Sequence, residues 1–178
     1  MALPSSLKPL PLPDPDAIAS PKWLDRMLRE AWGRIDSYLE ERPDPENGGF
    51  CASDFDQLFS LLSQPPFHPT HANASWVEWG SGFGVATAVA SRLGWRAQGW
   101  EHNPDLVNEA QRLARDCAWT VDLALGDYRH APRAELIFAY PWPGEAETMQ
   151  ARFAEIARSG DRLLFYCGPD EWAAWEQR

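Results

Sequence analysis

The sequence predicts one α/β domain built on an open, mostly parallel sheet with helices on both faces. Two observations carry this expectation. From Trp76 onward, short apolar runs alternate with stretches of helical period, the pattern of strands joined by crossover helices. A set of glycines, Gly80, Gly82 and Gly84, stands where the first of those strands turns into a helix. The 178 residues, 44% hydrophobic, suffice for one core that buries roughly 70% of the unfolded surface.

The elements follow in chain order. The proline-rich start, Leu3 to Pro15, reads as part of a flexible or polyproline arm over residues 1–20 that enters neither helix nor sheet. Ser20 and Pro21 open a helix over about 22–41, in which Leu24, Met27, Leu28, Ala31, Ile35, Tyr38 and Leu39 recur at helical spacing. Arg42 to Phe50, with Pro43, Pro45, Gly48 and Gly49, interrupts it; Ser53 with Asp56 then starts a second helix to about Ser63, ended by Pro65 and Pro66. These make an N-terminal helical segment, 21–74, joined in one globular domain with a core over 75–178.

The core strands are expected at Ser75–Trp79, Ala97–Glu101, Val121–Leu125, Glu135–Tyr140 and Arg162–Cys167. Val85, Val89 and Leu93 mark the first crossover helix. Asn103 caps the second, with Pro104 at its first position and Leu106, Val107, Ala110, Leu113 and Ala114 inward. Glu145 to Arg158 forms another, with Met149, Phe153 and Ile156 inward. Tyr128 to Ala134, the link between the third and fourth strands, extends about 23 Å at most and should lack a helix.

Composition excludes several function classes. Sixteen basic and 26 acidic residues give a formal charge of −10, which repels phosphate backbones and anionic membrane surfaces. Nucleic acid and membrane are therefore not expected as partners. No apolar run in the first residues suits a leader or a membrane span, so the default expectation is a cytoplasmic location. Cys51, Cys117 and Cys167 read as reduced, buried thiols, and the ten tryptophans as core or pocket material. His68, His71, His102 and His130 show no metal-ligand spacing with the cysteines, and no metal is expected.

The chemistry concentrates at Val77-Glu78-Trp79-Gly80-Ser81-Gly82-Phe83-Gly84. Glycines there allow a tight turn and close approach of a ligand, and the following helix N-terminus offers N–H donors to an anionic group. Glu101 ends the second strand nineteen positions after Gly82, where an acid can accept both hydroxyls of a ribose. Each signal alone is weak; together they specify a nucleoside-bearing ligand. A dinucleotide fingerprint wants its third glycine or alanine three residues after the second. That position is Val85, and the third glycine arrives at Gly84.

On these residues, Glu78 followed by Gly80, Gly82 and Gly84, the sequence resembles the class I S-adenosylmethionine-dependent methyltransferases over about Trp76 to Gly168, roughly half the chain. The resemblance implies a Rossmann-like sheet of order 3-2-1-4-5. It also implies a cofactor site at Glu78, Gly80, Ser81, Gly82, Phe83, Gly84, Glu101, His102, Asn103, Asp127, Tyr128 and Ala139. In that family the acid at Glu101 binds ribose and the acid at Asp127 contacts the adenine amino group. Glu101 to Val107 is also similar to a segment of certain protein-lysine methyltransferases, whose short aromatic element before the first motif Phe50 to Phe55 parallels.

Tyr140, Pro141 and Trp142 follow the fourth strand at the sheet edge where α/β proteins place ligands, and mark the substrate pocket. Pro141-Trp142 matches half of an amine-orienting motif, while Ala139 and Tyr140 replace its polar start. The implied reaction, displacement at a sulfonium methyl, needs in-line placement more than a protein acid or nucleophile, and no catalytic residue is assigned. Phe83, Tyr140 or Trp142 could add cation–π attraction of about 0.5–2 kcal/mol. The implied acceptor is a protein side-chain amine or a small molecule.

One feature departs from the family. Only Pro169 to Arg178 remain after the fifth strand, too little for the helix and antiparallel strand pair that complete its sheet, so that pair is expected to be missing. An alternative reading is therefore a non-catalytic S-adenosylmethionine-binding or protein-interaction module, whose open edge the N-terminal helices or a second copy in a homodimer would cover. An enzyme using a related nucleoside, such as an aminopropyl donor or a dinucleotide, is the third reading.

Overall fold

A computed structural model describes residues 3–42 and 49–178. Its strands are β1 (Leu7–Pro9), β2 (Ser75–Trp79), β3 (Arg96–Glu101), β4 (Asp122–Leu125), β5 (Leu136–Ala139), β6 (Arg162–Gly168) and β7 (Glu171–Gln177). They form one sheet in the order β1-β7-β6-β5-β2-β3-β4. β2 to β6 run parallel, and β7 pairs antiparallel with both β6 and β1. The helices are α1 (Lys22–Glu41), α2 (Phe55–Leu62), α3 (Val85–Arg92), α4 (Pro104–Asp116) and α5 (Ala146–Ile156).

Period-two alternation along β2 divides the core. Trp76 points to a cluster with Phe138, Leu136, Leu164 and the inner faces of α1 to α4. Val77 and Trp79 point to the other face, with Ile137, Leu163, Phe165 and, from α5, Met149 and Phe153. Full burial of such side chains stabilises by about 1.5–3 kcal/mol each. Asn103 caps α4 by accepting from Asp105 N at 3.0 Å, with Pro104 in the first turn. Between β4 and β5 there is no α-helix, only a 3₁₀ turn at Tyr128–His130.

Four expectations need correction. One antiparallel strand does follow the fifth: Gly168 pairs with Glu171 across a two-residue turn, Pro169-Asp170, in which Asp170 has φ 58°, so β7 needs no preceding helix, and the place beyond it at that edge is taken by β1, antiparallel to β7. The proline-rich arm is not outside the sheet, since Leu7–Pro9 pairs with Trp175 to Gln177 as the edge strand and Leu7 is buried. An edge strand tolerates proline because one row of its N–H groups bonds nothing. The second helix is capped by Asp54, whose carboxylate accepts from Gln57 N at 2.9 Å, rather than by Ser53. Cys51 and Cys167 are exposed free thiols instead of buried ones, and Cys117 is half-buried. Pro43, Pro45 and Gly48, assigned to the break after α1, lie outside the described residues.

Among the described residues, no helix is long and apolar enough to cross a membrane, and no group of three or more His, Cys, Asp or Glu could hold a metal ion.

Candidate cofactor and acceptor site

The carboxyl ends of β2 to β6 border a cavity of about 750 Å³. Its floor begins at the turn after β2. Gly80, Gly82 and Gly84 have φ of 78°, 49° and 68°, values that favour glycine. A Cβ on Gly80 would meet nothing within 4 Å, so a ligand can approach the backbone there. At Gly82 a Cβ would lie 2.3 Å from Phe50 Cε2, because the Phe50 ring covers that turn and packs 5.1 Å from the Phe83 ring. Gly84 packs against Leu123, and Ala139 is buried inside β5, so neither lines the cavity.

The turn is wired differently from a free helix N-terminus. Gly80 N and Ser81 N both donate to Trp100 O, at 2.8 and 3.0 Å, and Gly84 N donates to Ser81 O at 2.7 Å. Gly82 N donates to Glu101 Oε2 at 3.0 Å. These four N–H groups of the turn are thus already paired. Ser81 Oγ is buried without a hydrogen-bond partner. Gly99 makes room for this arrangement, since a Cβ there would lie 2.7 Å from Ser81 Cβ.

Two buried glutamates anchor the turn with separate tasks. Glu78 lies beneath it, and its Oε2 accepts from Thr87 N at 2.9 Å and Thr87 Oγ1 at 2.6 Å, tying β2 to the first turn of α3. Burial pushes its carboxyl up to about 8 against the opposing Thr87 hydrogen bonds, with Glu101 adding a smaller upward push. Glu78, Ser81 and Phe83 border a small cavity of about 20 Å³ beside the main one, shared with Gly80 and Tyr140.

Glu101, 4% exposed, instead faces the main cavity. Its Oε2 accepts from Gly82 N, its Oε1 accepts from Asn103 N at 2.8 Å, and His102 Nδ1 lies 3.2 Å from Oε1. A carboxylate oxygen offers about two lone-pair sites, so Oε2, with one donor, retains acceptor capacity.

His102, Asn103, Asp127 and Tyr128 line the same cavity. Asp127 is clasped by the Arg129 guanidinium through both oxygens and also accepts from Arg129 N at 2.8 Å. This pairing holds its carboxyl down at about 2. Tyr128 packs on Trp79 at 5.2 Å, and burial raises the pKa of its hydroxyl.

Tyr140, Pro141 and Trp142 form the other end of the cavity, with Cys51 and Cys167. The Cys51 thiol lies 3.8 Å from the Tyr140 hydroxyl, and the Tyr140 ring meets Tyr166 edge-on at 4.8 Å. Trp142, 51% exposed, lies across Gly49: a Cβ at Gly49 would come within 2.0 Å of the indole. The segment before α2 therefore reaches over the glycine turn to the loop after β5.

Sequence reasoning left several lining residues unassigned, among them Trp100, Leu106, Arg129, Glu145, Thr148 and Cys167. Two glycines carried a readable signal: Gly99, inside a strand pattern, makes room for the Ser81 and Leu123 side chains, and Gly126, which lines the cavity at a strand end, makes room for the Trp100 ring, 2.9 Å from where its Cβ would lie.

No family model matches the sequence, and no curated protein matches it by sequence. Solved structures do resemble it in fold. An RNA methyltransferase from Salinibacter ruber, solved with S-adenosyl-L-homocysteine, is 19% identical with a TM-score of 0.50; the match covers 90% of this chain and 92% of that one. YjhP from E. coli is 15% identical with a TM-score of 0.53, over 72% of this chain and 54% of that one. A precorrin-6y C5,15-methyltransferase from Geobacter metallireducens is 15% identical with a TM-score of 0.51, over 62% and 60%. The chain thus spans little more than half the length of the latter two. It has the Rossmann-like fold of the class I S-adenosylmethionine-dependent methyltransferases.

Proposed function

We propose that this chain binds S-adenosylmethionine in the 750 Å³ cavity and transfers its methyl group to a protein side-chain amine or a small molecule. The observation that carries the reading is the pairing of the open backbone at Gly80 with the buried, partly satisfied carboxylate of Glu101. The residues fit the cofactor. The volume lies within the roughly 300–1,000 Å³ of small-molecule sites. Glu101 keeps acceptor capacity on Oε2, which meets the single donor Gly82 N, for a ribose hydroxyl. Trp100, Leu106 and Tyr128 offer flat apolar surface for a purine, with Asp127 at hand for its amino group.

S-adenosylmethionine supplies an electrophilic methyl group on a sulfonium. The chain's own part is to hold that group and the acceptor in line, and to keep water out between them. Gly80, Glu101 and Asp127 serve the first task, and Tyr140, Pro141 and Trp142 the second. The edge left open in the module reading is occupied by β7 and β1, which removes its main support. The Salinibacter ruber protein is an RNA methyltransferase, but a net charge of −10 here opposes a phosphate backbone.

Calorimetric titration with S-adenosylmethionine and, separately, with NAD tests the reading. Micromolar binding of the first alone is expected. No binding of S-adenosylmethionine, or binding of NAD in its place, overturns it.

A further inference from the structure

We propose that the end of the cavity walled by Cys51, Tyr140, Trp142 and Cys167 is an acceptor subsite for an alkylammonium group, the terminus of a lysine side chain or of a free aliphatic amine. The inference rests on the methyltransferase reading and narrows its acceptor.

Two aromatic surfaces are fixed at this end. Tyr140 is braced edge-on by Tyr166 at 4.8 Å, and Tyr166 by Trp172 at 4.9 Å. Trp142 is seated across Gly49, where no side chain could be accommodated. Ring faces carry negative charge density and attract a cation placed over them.

The charges around these rings have one sign. Asp54 and Asp170 lie near enough to raise the pKa of Tyr166, after burial itself. The Tyr140 hydroxyl is pushed up to about 12, first by burial and then by Cys51. It therefore stays protonated at neutral pH. The cavity also holds the carboxylates of Glu101 and Glu145, while a third, Asp127, is balanced by Arg129. Among its described lining residues the one guanidinium, Arg129, is already clasped by Asp127. A phosphate or carboxylate acceptor would enter this field against repulsion, whereas an ammonium is drawn in by it and by the overall charge of −10.

The transfer balances without a further reagent. The ammonium gives one proton to water, its nitrogen lone pair forms the new C–N bond, and the C–S bond breaks with its electron pair passing to sulfur. The methylated amine regains the positive charge that the sulfonium loses.

The test titrates the full chain, saturated with S-adenosylhomocysteine, with Nα-acetyl-lysine amide, spermidine, a phenol and a short RNA. Binding of either amine, weakened by added salt, is expected; which of the two binds separates a protein from a small-molecule source. Tyr140→Leu should weaken amine binding about 2- to 30-fold, the range of a cation–π contact, while Tyr140→Phe keeps it. Trp142→Leu gives an independent second reading, and a cooperative thermal melt shows that each variant is folded. Absence of amine binding in a chain that binds S-adenosylmethionine overturns the subsite alone, as does preference for the phenol or RNA, or an unchanged Tyr140→Leu. Failure to bind S-adenosylmethionine overturns the reading beneath it.

Discussion

Replacing Glu101 by alanine should damage stability and cofactor binding together. The carboxylate is 4% exposed and accepts from two backbone donors, Gly82 N at 3.0 Å and Asn103 N at 2.8 Å. Removing it strands both. A buried donor without a partner costs about 1–3 kcal/mol, and water entering from the cavity offsets part of this, leaving about 2–4 kcal/mol for the pair. For a chain of this length each kcal/mol moves the melting temperature by about 2–4 °C, so a fall of about 4–16 °C follows. Loss of a charge-assisted hydrogen bond to ribose should further cost about 1.5–3 kcal/mol of S-adenosylmethionine affinity, about 10- to 150-fold. Glu101→Gln should lie between, because its amide nitrogen turns a donor toward one of the two N–H groups. Thermal melts and calorimetric titrations of the three proteins measure both effects. A Glu101→Ala protein with parental melting temperature and affinity would refute both the anchoring of the turn and the ribose assignment.

Three other perturbations have directions set by the structure. Gly82→Ala places a Cβ 2.3 Å from Phe50 at a φ of 49° and should cost about 1–2 kcal/mol in backbone strain plus displacement of that ring, whereas Gly80→Ala, at a φ of 78° with open space around it, should cost the backbone strain alone and in addition weaken cofactor binding; paired melts and titrations compare them. Glu78 holds its proton to about 8 when folded, against 4.5 for an ordinary glutamate carboxyl. The folded chain then binds the extra proton in that window, and stability falls as pH rises through it, by at most about 1.4 kcal/mol per pH unit. Glu78→Gln should flatten this slope in melts between pH 5 and 8. Deleting residues 1–10 removes β1 and uncovers the β7 edge, so light scattering should show self-association, and Leu7→Ala alone should cost about 2–5 kcal/mol in melts.

The sequence disclosed the parts of the fold that local chemistry decides. Asn103-Pro104 marks the start of α4 by capping, and the brevity of Tyr128 to Ala134 forbids a crossover helix. Elements that depend on partners distant in sequence stayed hidden. Leu7–Pro9 has no strand signature of its own and becomes a strand only because β7 offers it a ladder. β7 is hidden for a different reason: the ten residues after β6 are too few for a helix-linked strand pair, and its signal is the tight turn spelled by Gly168-Pro169-Asp170. At the site, the glycine turn and Glu101 were legible because backbone conformation and strand-end placement constrain residue type. The engagement of the turn's N–H groups by Trp100 O and Glu101 was not, since carbonyl partners leave no mark in sequence.

The N-terminal segment is bound into the site as firmly as into the fold. Phe50 covers Gly82 and touches Phe83, which in turn meets Tyr38 of α1 at 5.3 Å. Gly49 lies under Trp142, and Cys51 lies beside the Tyr140 hydroxyl. Residues 49–51 thus contact the loops after β2 and β5, which belong to the cofactor and acceptor ends of the cavity. A ligand that fills the cavity must sit against this strap, so its affinity includes the free energy of keeping the strap ordered. Substitutions in α1 that loosen Tyr38 should therefore reach the cofactor site through Phe83 and Phe50, weakening binding without any contact to the ligand. The α/β core beginning at β2 is accordingly not a self-sufficient binding unit: one wall of its site is contributed by residues that precede it in the chain.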